Sequence, residues 1–107
     1  MKFDIITIFP EIFDTYFKES LIHTAQNKGL INIGIHNLRD YTNDPHKKVD
    51  DKPFGGGLGM VMNIDPIAKA VEKIRKKNSK VILFSPRGKK FTQQKAAEYA
   101  KLDQLIM

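Results

Sequence analysis

The hydrophobic pattern of the first part of the chain predicts a strand, a helix and a second strand. Residues 3–9 are apolar except at two positions and stop at a proline, which indicates a buried strand that ends in a turn. Residues 12–25 carry apolar side chains at intervals of three and four, as in an amphipathic helix, and Gly29 supplies a stop signal. Isoleucines alternate with other residues over 31–35, as in a half-buried strand. Residues 39–59 follow neither period.

The pattern becomes regular again in the second part of the chain. The pair Asp65-Pro66 predicts a helix in which the aspartate is the N-cap and the proline occupies the first helical position. Residues 80–85 form a short apolar run that predicts a buried strand, and 86–88 form its turn. Thr92 is suited to cap another helix, and residues 105–107 predict a further strand.

The order β-α-β-loop-α-β-α-β predicts an α/β fold, with a mainly parallel sheet flanked by helices, in a single domain over residues 1–107. Ligands of such sheets usually bind outside the carboxyl ends of the strands. This rule selects the loop 39–59 and the turn 85–88 as the candidate site. We also expect residues 105–107 to form an apolar edge of the sheet, and therefore to promote self-association.

Charge is distributed unevenly along the chain, whose formal net charge is +6. Residues 1–45 carry four basic and six acidic side chains, whereas residues 46–107 carry fourteen and six. This asymmetry suggests an anionic partner such as RNA or DNA, although a lysine-rich solvated surface would look the same. The chain has no cysteine, and the apolar run around Asp4 is too short for a signal peptide or a membrane span. We therefore expect a cytoplasmic location without a membrane partner.

The segment VDDKPFGGGLGM, residues 49–60, holds four of the seven glycines of the chain. Glycine lets a backbone approach a ligand closely, which suggests a phosphate-binding loop. The nucleotide-binding patterns do not fit, because the segment lacks both Gly-Lys-Ser/Thr and a Gly-x-Gly-x-x-Gly behind a strand. A flexible turn remains the alternative.

Carboxylate and imidazole side chains precede these glycines and could suggest a magnesium or hydrolase site. They are Asp40, Asp44, His46, Asp50 and Asp51. Their spacing matches neither a calcium loop nor a zinc helix, so we assign no metal ligand, and Mg²⁺ stays open as a cofactor. The two adjacent aspartates could equally accept hydrogen bonds from loop amides. A nucleophilic hydrolase is not favoured, because Ser85 does not lie in a Gly-x-Ser-x-Gly elbow.

Four segments carry a joint resemblance to a known family. They are IFPEIF at 8–13, LRDYTNDPH at 38–46, VDDKPFGGGLGMVM at 49–62 and LFSPRG at 83–88. Together they resemble the bacterial tRNA (guanine-N1)-methyltransferases, which modify the guanosine at position 37 of tRNA. The resemblance implies a SPOUT fold with a deep trefoil knot, S-adenosylmethionine as methyl donor, tRNA as substrate, and a homodimer whose active sites lie at the subunit interface.

The resemblance also implies roles for individual residues. Those implied to line the adenosine end of the cofactor pocket are Leu83, Phe84, Ser85, Pro86, Arg87 and Gly88. Asp50 would lie near the amino-acid end of the cofactor or near the target base, in a supporting role. Leu58 and Gly59 would lie close to the flipped guanine, and His46 would contact tRNA. Asp51 is interpreted as a structural carboxylate.

Two residues depart from the pattern of the family. Phe54 stands where the family usually has tyrosine, and Arg87 stands where it usually has glutamine. The second change places a cation beside the expected adenine site.

In the family, the strand predicted at 105–107 leads into the knot-forming half, the general base and a helical tRNA-binding domain. Residues 1–107 are therefore interpreted as the N-terminal half of the catalytic domain, and we expect no methyl transfer by them alone. One alternative is a non-catalytic RNA-binding module that uses the basic residues of 46–107. A magnesium-dependent phosphoryl-transfer enzyme built on Asp50 and Asp51 is the other.

Overall fold

The computed structural model describes all 107 residues. The strands are β1 (Lys2–Thr7), β2 (Asn32–Asn37), β3 (Asp50–Asp51), β4 (Val61–Met62), β5 (Ser79–Val81) and β6 (Gln104–Ile106). The helices are α1 (Phe13–Tyr16), α2 (Ser20–Asn27), α3 (Ile64–Ile74) and α4 (Gln93–Tyr99), and short 3-10 turns occupy Pro10–Ile12 and Leu38–Tyr41. Since the main sheet is parallel and has helices packed against it, the predicted α/β class is confirmed.

The main sheet has four parallel strands in the order β2-β1-β6-β5. β1 pairs with β2 over its whole length, from Lys2 opposite Asn32 to Thr7 opposite Asn37. β6 is inserted between β1 and β5, and all three of its residues are buried. The centre of the sheet is therefore the strand that comes last in the described chain.

The expected apolar edge at residues 105–107 is wrong. Leu105 and Ile106 are buried in the interior strand β6, and Met107 continues its pairing with β1 through backbone bonds of 2.7 and 2.8 Å. The edges of the sheet are β2 and β5 instead. Strand order depends on contacts between distant segments, which a local hydrophobic pattern does not contain. The self-association expected from this edge thus loses its physical basis.

The single helix predicted over residues 12–25 is also wrong, because the structure divides it into α1 and α2. Glu19 has an extended backbone and Ser20 has a positive φ of 57°, which interrupts the helical path. The side-chain amide of Gln26 donates to the carbonyl of Phe17 at 2.7 Å and stabilises this break. The predicted stop is confirmed, since α2 ends at Asn27 and Gly29 has a φ of +67°.

Two predicted boundaries in the second part of the chain differ from the structure, and one cap is confirmed. The N-cap of α3 is Asn63 and not Asp65, so the proline lies within the first turn, where its missing N-H has no helical partner to lose. The strand predicted over 80–85 ends at Val81, because β6 offers its last carbonyl to Ile82. Thr92 caps α4, with its hydroxyl oxygen accepting from the amide of Lys95.

The interior of the chain is small. Only eight of 107 residues are buried, and Leu38, Val49 and Ala70 form a cluster of buried apolar side chains against which Ile6, Ile8, Tyr41 and Ile67 pack. The accessible surface is 8552 Å², whereas a folded monomer of 12.2 kDa is expected to expose about 6,100 Å². The radius of gyration, 15.7 Å, likewise exceeds the value of about 13 Å expected for this length. Much apolar surface is therefore exposed.

None of the helices has both the length and the apolar character that crossing a membrane requires.

The carboxylate of Asp4 is fully buried in the middle of β1. Its Oδ2 accepts a hydrogen bond from the side chain of Gln104 at 2.6 Å. Its Oδ1 lies 2.7 Å from Nε2 of His36 and 2.9 Å from Nζ of Lys2. Gln104, itself fully buried, also donates to the carbonyl of Ile74 and accepts from the amide of Lys76. These contacts join β1, β2, β6 and the C-terminal end of α3.

The partners of Asp4 decide its charge state. Burial raises the pKa of the Asp4 carboxyl, but the hydrogen bonds from Gln104, His36 and Lys2 together outweigh it, and the pKa lies below its usual value of 3.8. The folded protein therefore holds Asp4 as a carboxylate more firmly than the unfolded chain does. A lowered pKa stabilises the fold above the usual pKa, and this stabilisation is lost as the pH falls through the folded value.

We expect Asp4→Asn to lower the free energy of unfolding at pH 7 by about 1–3 kcal/mol, because it removes the charge that three buried or half-buried donors share. The difference from wild type should shrink below about pH 3.8, where the carboxyl becomes protonated in the unfolded chain. Urea unfolding at pH 7 and at pH 3 measures both effects. Asp103→Asn, which changes an exposed carboxylate next to β6, is the control. An equal loss at both pH values would contradict the assignment.

Candidate functional site

The loop between the Leu38–Tyr41 turn and β3 is ordered by Asp44. Its Oδ2 accepts from the amides of His46, at 2.8 Å, and Lys48, at 3.1 Å. The Lys48 bond is the largest cause of a lowered pKa of Asp44; slight desolvation opposes it, and the His46 bond adds to it. Thr42 adds a second bond across the loop, since its hydroxyl donates to the carbonyl of Lys48 at 3.0 Å. This segment, which has no period in the sequence, is a compact turn built by local side-chain bonds.

The glycine-rich segment forms the tip of a hairpin, in which β3 pairs with β4 in antiparallel fashion. Asp50 lies opposite Met62, and Asp51 lies opposite Val61. Val49, which immediately precedes the hairpin, is buried in the apolar cluster, and its carbonyl accepts from the amide of Asn63 at 2.7 Å. The hairpin therefore has a fixed base.

The tip of this hairpin needs glycine for its backbone conformation. Gly55, Gly56 and Gly59 have φ values of +86°, +75° and +88°, which residues with a side chain rarely adopt. Gly57 has no positive φ, and a Cβ there would meet only Pro53 at an ordinary contact distance of 3.4 Å. Leu58 projects fully into solvent between these glycines. The tip thus presents an apolar side chain and accessible backbone rather than a nucleotide-binding loop.

The turn after β5 lies beside a second part of the candidate site, a cavity of about 520 Å³ between residues 81–91 and α4. The amide of Gly88 donates to the carbonyl of Ser85 at 3.0 Å, and the Ser85 hydroxyl accepts from the amide of Arg87 at 3.2 Å. A Cβ on Gly88 would come within 3.1 Å of that carbonyl, so glycine allows the turn to close tightly.

The backbone of Leu83 and Phe84 is available to a ligand. The N-H and C=O groups of these two residues make no hydrogen bond within the chain, since the last bond of this strand to the sheet is made by Ile82. Both side chains are exposed as well. A row of unpaired backbone donors and acceptors beside an apolar surface suits the edge and the face of a planar heterocycle.

The far wall of this cavity is aromatic and basic. The rings of Phe91 and Tyr99 lie 6.2 Å apart, and the ammonium groups of Lys80 and Lys95 lie 4.9 and 5.6 Å from the centre of the Tyr99 ring. Glu98 is the acidic neighbour of both lysines, at 4.0 and 3.2 Å. This side therefore carries two ammonium groups and one carboxylate beside an aromatic surface.

The structure brings together some of the site residues predicted from the sequence. Leu83, Phe84, Ser85 and Gly88 line the cavity, whereas Pro86 and Arg87 are not among its lining residues. Asp50 instead lines a separate polar cavity of about 420 Å³, together with Asp44, Asp51 and Lys48.

The remaining predicted contacts lie outside these two cavities. His46, Leu58 and Gly59 are exposed and line neither of them. Asp51 is exposed and accepts a hydrogen bond from the adjacent amide of Lys52 at 2.7 Å, and its interpretation as a structural carboxylate stays a prediction.

The acidic and imidazole side chains of the 39–51 region do not converge. No three histidine, aspartate or glutamate side chains of the chain lie close enough together to hold a metal ion. Asp44 is engaged with loop amides, and Asp40 approaches only Lys47, at 3.8 Å. The geometry gives no support to a magnesium site built on this cluster.

Sequence reasoning missed several residues of the cavity, namely Phe91, Lys95 and Tyr99. The sequence spacing could have identified two of them, because Lys95 and Tyr99 are four residues apart and share one face of the helix that Thr92 caps. It also missed Tyr41, which packs against the apolar cluster beneath the hairpin.

Comparison with known proteins gives consistent matches. The model of the family described as tRNA (Guanine-1)-methyltransferase TrmD matches residues 1–107. A tRNA (guanine-N(1)-)-methyltransferase of Dictyoglomus turgidum is 50% identical over 107 residues, which are 100% of this chain and 44% of the relative. Proteins of the same description from Carboxydothermus hydrogenoformans and Geobacter sulfurreducens are 50% and 45% identical, over 99% and 100% of this chain and 42% and 44% of their own length. The chain thus spans less than half the length of these relatives.

We expect Gly56→Ala to destabilise the hairpin by about 1 kcal/mol, because alanine is strained at a φ of +75°. Gly57→Ala should cost less, since its backbone has no positive φ and there is space for a methyl group. Amide hydrogen exchange of Met62 and Asn63 in the two variants measures the difference. Equal exchange in both would show that the positive φ of Gly56 does not constrain the hairpin.

Proposed function

The chain belongs to the tRNA (guanine-1)-methyltransferase family, and from this premise we propose that the protein transfers a methyl group to N1 of the guanosine at position 37 of tRNA. The observation that carries the proposal is the match of the family model to all 107 residues. The open cavity beside Leu83 and Phe84 supports it, because it offers a surface for a methyl donor that carries a purine.

We propose S-adenosylmethionine as the donor, with its adenosine end held by residues 83–88. The unpaired N-H and C=O groups of Leu83 and Phe84 fit a purine edge, and Gly88 keeps the neighbouring turn compact. When bound, S-adenosylmethionine supplies an electrophilic methyl group on a sulfonium. We propose that Pro86 and Arg87 lie next to the bound donor, because they belong to the same turn as Ser85 and Gly88, although they do not line the cavity.

The hairpin is proposed to hold the target guanine. Leu58 and Gly59 would contact the base once it has left the stack, since an apolar side chain and a bare backbone can pack against its face. Asp50, which is half-buried at the base of the hairpin, would orient the base or the amino-acid end of the donor. Holding both reactants in a fixed geometry supplies a large share of the rate of such a transfer.

Guanine N1 must lose a proton when it accepts the methyl group, so the reaction needs a general base. We propose none among residues 1–107 and give Asp50 a supporting role. The lysines at the rim of the cavity would instead contact tRNA phosphates, because their charge suits phosphate better than a sulfonium, and His46 would contact the same tRNA. A role for Mg²⁺ stays a prediction, and residues 1–107 offer no group of three metal-binding side chains for it.

We further propose a SPOUT-type catalytic domain with a trefoil knot, to which residues 1–107 contribute one half, and a homodimer with the active site at its interface. The parallel sheet agrees with such a domain. The accessible surface, about 2,450 Å² above that expected for a folded monomer, supports the proposal that further protein surface packs against residues 1–107.

The full-length protein should methylate unmodified tRNA that carries guanosine at position 37 and should leave the same tRNA with adenosine at that position unmodified. Labelled S-adenosylmethionine followed by nucleoside analysis measures both outcomes. A product other than N1-methylguanosine would contradict the proposed reaction. Strongly salt-dependent RNA binding without methyl transfer, and without any effect of S-adenosylmethionine on affinity, would support the RNA-binding module instead.

We expect Asp50→Asn to lower kcat/KM by about tenfold or more, because a positioned carboxylate would be lost from the reacting groups. Asp51→Asn is the matched control, since this neighbouring side chain is exposed and bonds only to the next amide. Its kcat/KM should stay within about threefold of wild type. A larger loss for Asp51→Asn than for Asp50→Asn would reverse the assignment.

A further inference from the structure

Three polar side chains from separate elements form a hydrogen-bonded chain outside the proposed catalytic groups. Asp4 of β1 contacts Nε2 of His36 in β2 at 2.7 Å, and Nδ1 of the same ring lies 3.3 Å from the hydroxyl of Tyr41. Asp4 is fully buried, and the other two are half-buried. A carboxylate is thus connected through an imidazole to a phenol.

Gly34 makes the contact between Asp4 and His36 possible. It lies opposite Asp4 in the β1-β2 pairing, and a Cβ at this position would come within 2.7 Å of Oδ1 of Asp4 and 3.3 Å of Nε2 of His36. Gln104 and Lys2 also hold the carboxylate, so it has little freedom to move aside. The glycine therefore leaves space for a specific side-chain pair.

The chemistry of Asp4, His36 and Tyr41 sets the direction of the hydrogen bonds between them. A carboxylate can only accept a hydrogen bond, so Nε2 of His36 must carry a proton and act as the hydrogen-bond donor to Asp4. In the neutral imidazole, Nδ1 then has a lone pair and accepts from the hydroxyl of Tyr41. The buried charge thereby selects one tautomer of His36 and one orientation of the Tyr41 hydroxyl.

Tyr41 connects this chain to the base of the hairpin. Tyr41 packs against the cluster of Leu38, Val49 and Ala70, and the centre of its ring lies 5.7 Å from the ammonium group of Lys73. Val49 is the residue directly before Asp50, and its carbonyl accepts the bond from Asn63 that closes the hairpin. Tyr41 therefore packs against the cluster that contains the residue directly before Asp50.

We propose that His36 is a positioning residue, which acts through Tyr41 and Val49 to fix the base of the hairpin that carries Asp50. Only the kinetic consequence rests on the proposed methyl transfer, because the tautomer of His36 and the order of the hairpin can be measured without it. The proposal predicts a property of the ring, an effect on the backbone and an effect on turnover.

The tautomer can be read by NMR of the full-length protein labelled with ¹⁵N-histidine, in which His36→Gln identifies the signal of this ring by its loss. At neutral ring charge, we expect Nε2 to carry the proton and Nδ1 to be unprotonated. Either the opposite tautomer or a mixture of both, as in a free imidazole, would overturn the proposed chain of hydrogen bonds.

The backbone effect is tested with Tyr41→Phe, which removes the hydroxyl and keeps the ring in the apolar cluster. We expect amide exchange at Asn63 and Asp50 to become about fivefold faster, the factor that corresponds to one hydrogen bond of ordinary strength. Tyr16→Phe is the matched control, because its hydroxyl makes no side-chain bond and its ring is 66% exposed. Unchanged exchange in Tyr41→Phe would overturn the proposal.

A second pair of variants separates positioning from packing. His36→Gln keeps one donor and one acceptor, whereas His36→Leu keeps only a similar apolar volume. We expect the exchange rates of the hairpin amides to stay near wild type in the first and to rise in the second. Equal rates in the two variants would show that the imidazole acts only by filling space.

The kinetic effect follows if the proposed methyl transfer is right. Tyr41→Phe should lower kcat about three- to tenfold and leave KM for S-adenosylmethionine unchanged, because residues 83–88 are untouched. An unchanged kcat, or a loss that appears in KM alone, would contradict positioning of Asp50. Absence of methyl transfer in the wild-type protein would instead refute the proposed function and leave the NMR and exchange results to decide the role of His36.

Discussion

The buried carboxylate of Asp4 is the constraint on which the sheet depends. A charge without water or partners would be costly in the interior, so its donors have to be supplied by the surrounding strands. Gln104 supplies one from β6, and His36 supplies another from β2. Since Gln104 also bonds to Ile74 and to Lys76, the same network fixes the end of α3 against the sheet. An apolar side chain at position 4 would pack without specifying any of these partners.

The sheet holds the candidate site by buried and hydrogen-bonded residues at its attachment points, whereas the residues that ligands would approach lie outside regular structure. Val49 is buried and paired at the base of the hairpin, while Gly55, Gly56 and Gly59 give the tip positive φ angles. Likewise, β5 is held by β6 up to Ile82, after which Leu83 and Phe84 carry unpaired backbone groups. Leu58 and Gly59 lie in the tip between β3, which ends at Asp51, and β4, which begins at Val61, and Leu83 lies two residues after the end of β5 at Val81.

Local patterns predicted the elements of this fold better than their arrangement. The strand predicted at 3–9, the cap at Thr92 and the stop at Gly29 are properties of short segments, and the structure contains all three, with the strand at Lys2–Thr7. The interior position of β6 depends on contacts between distant segments, and the break before Ser20 is accompanied by a bond from the side chain of Gln26 to the carbonyl of Phe17, which the hydrophobic spacing does not contain. The same limit applies to the site, because Asp4 and His36 are 32 residues apart and only the pairing of β1 with β2 brings them together.

Exposed apolar side chains occur at both parts of the candidate site. Phe54 and Leu58 at the hairpin tip are fully exposed, and Leu83, Phe84 and Phe91 beside the cavity are mostly exposed. Isolated apolar residues are common on protein surfaces, but clusters of them at a candidate site mark surfaces that become covered. Because the residues proposed to bind the donor and the base lie among them, any surface that covers these clusters would also complete the site. Ligand binding and association would then depend on the same side chains, and a change in one of them would be expected to affect both.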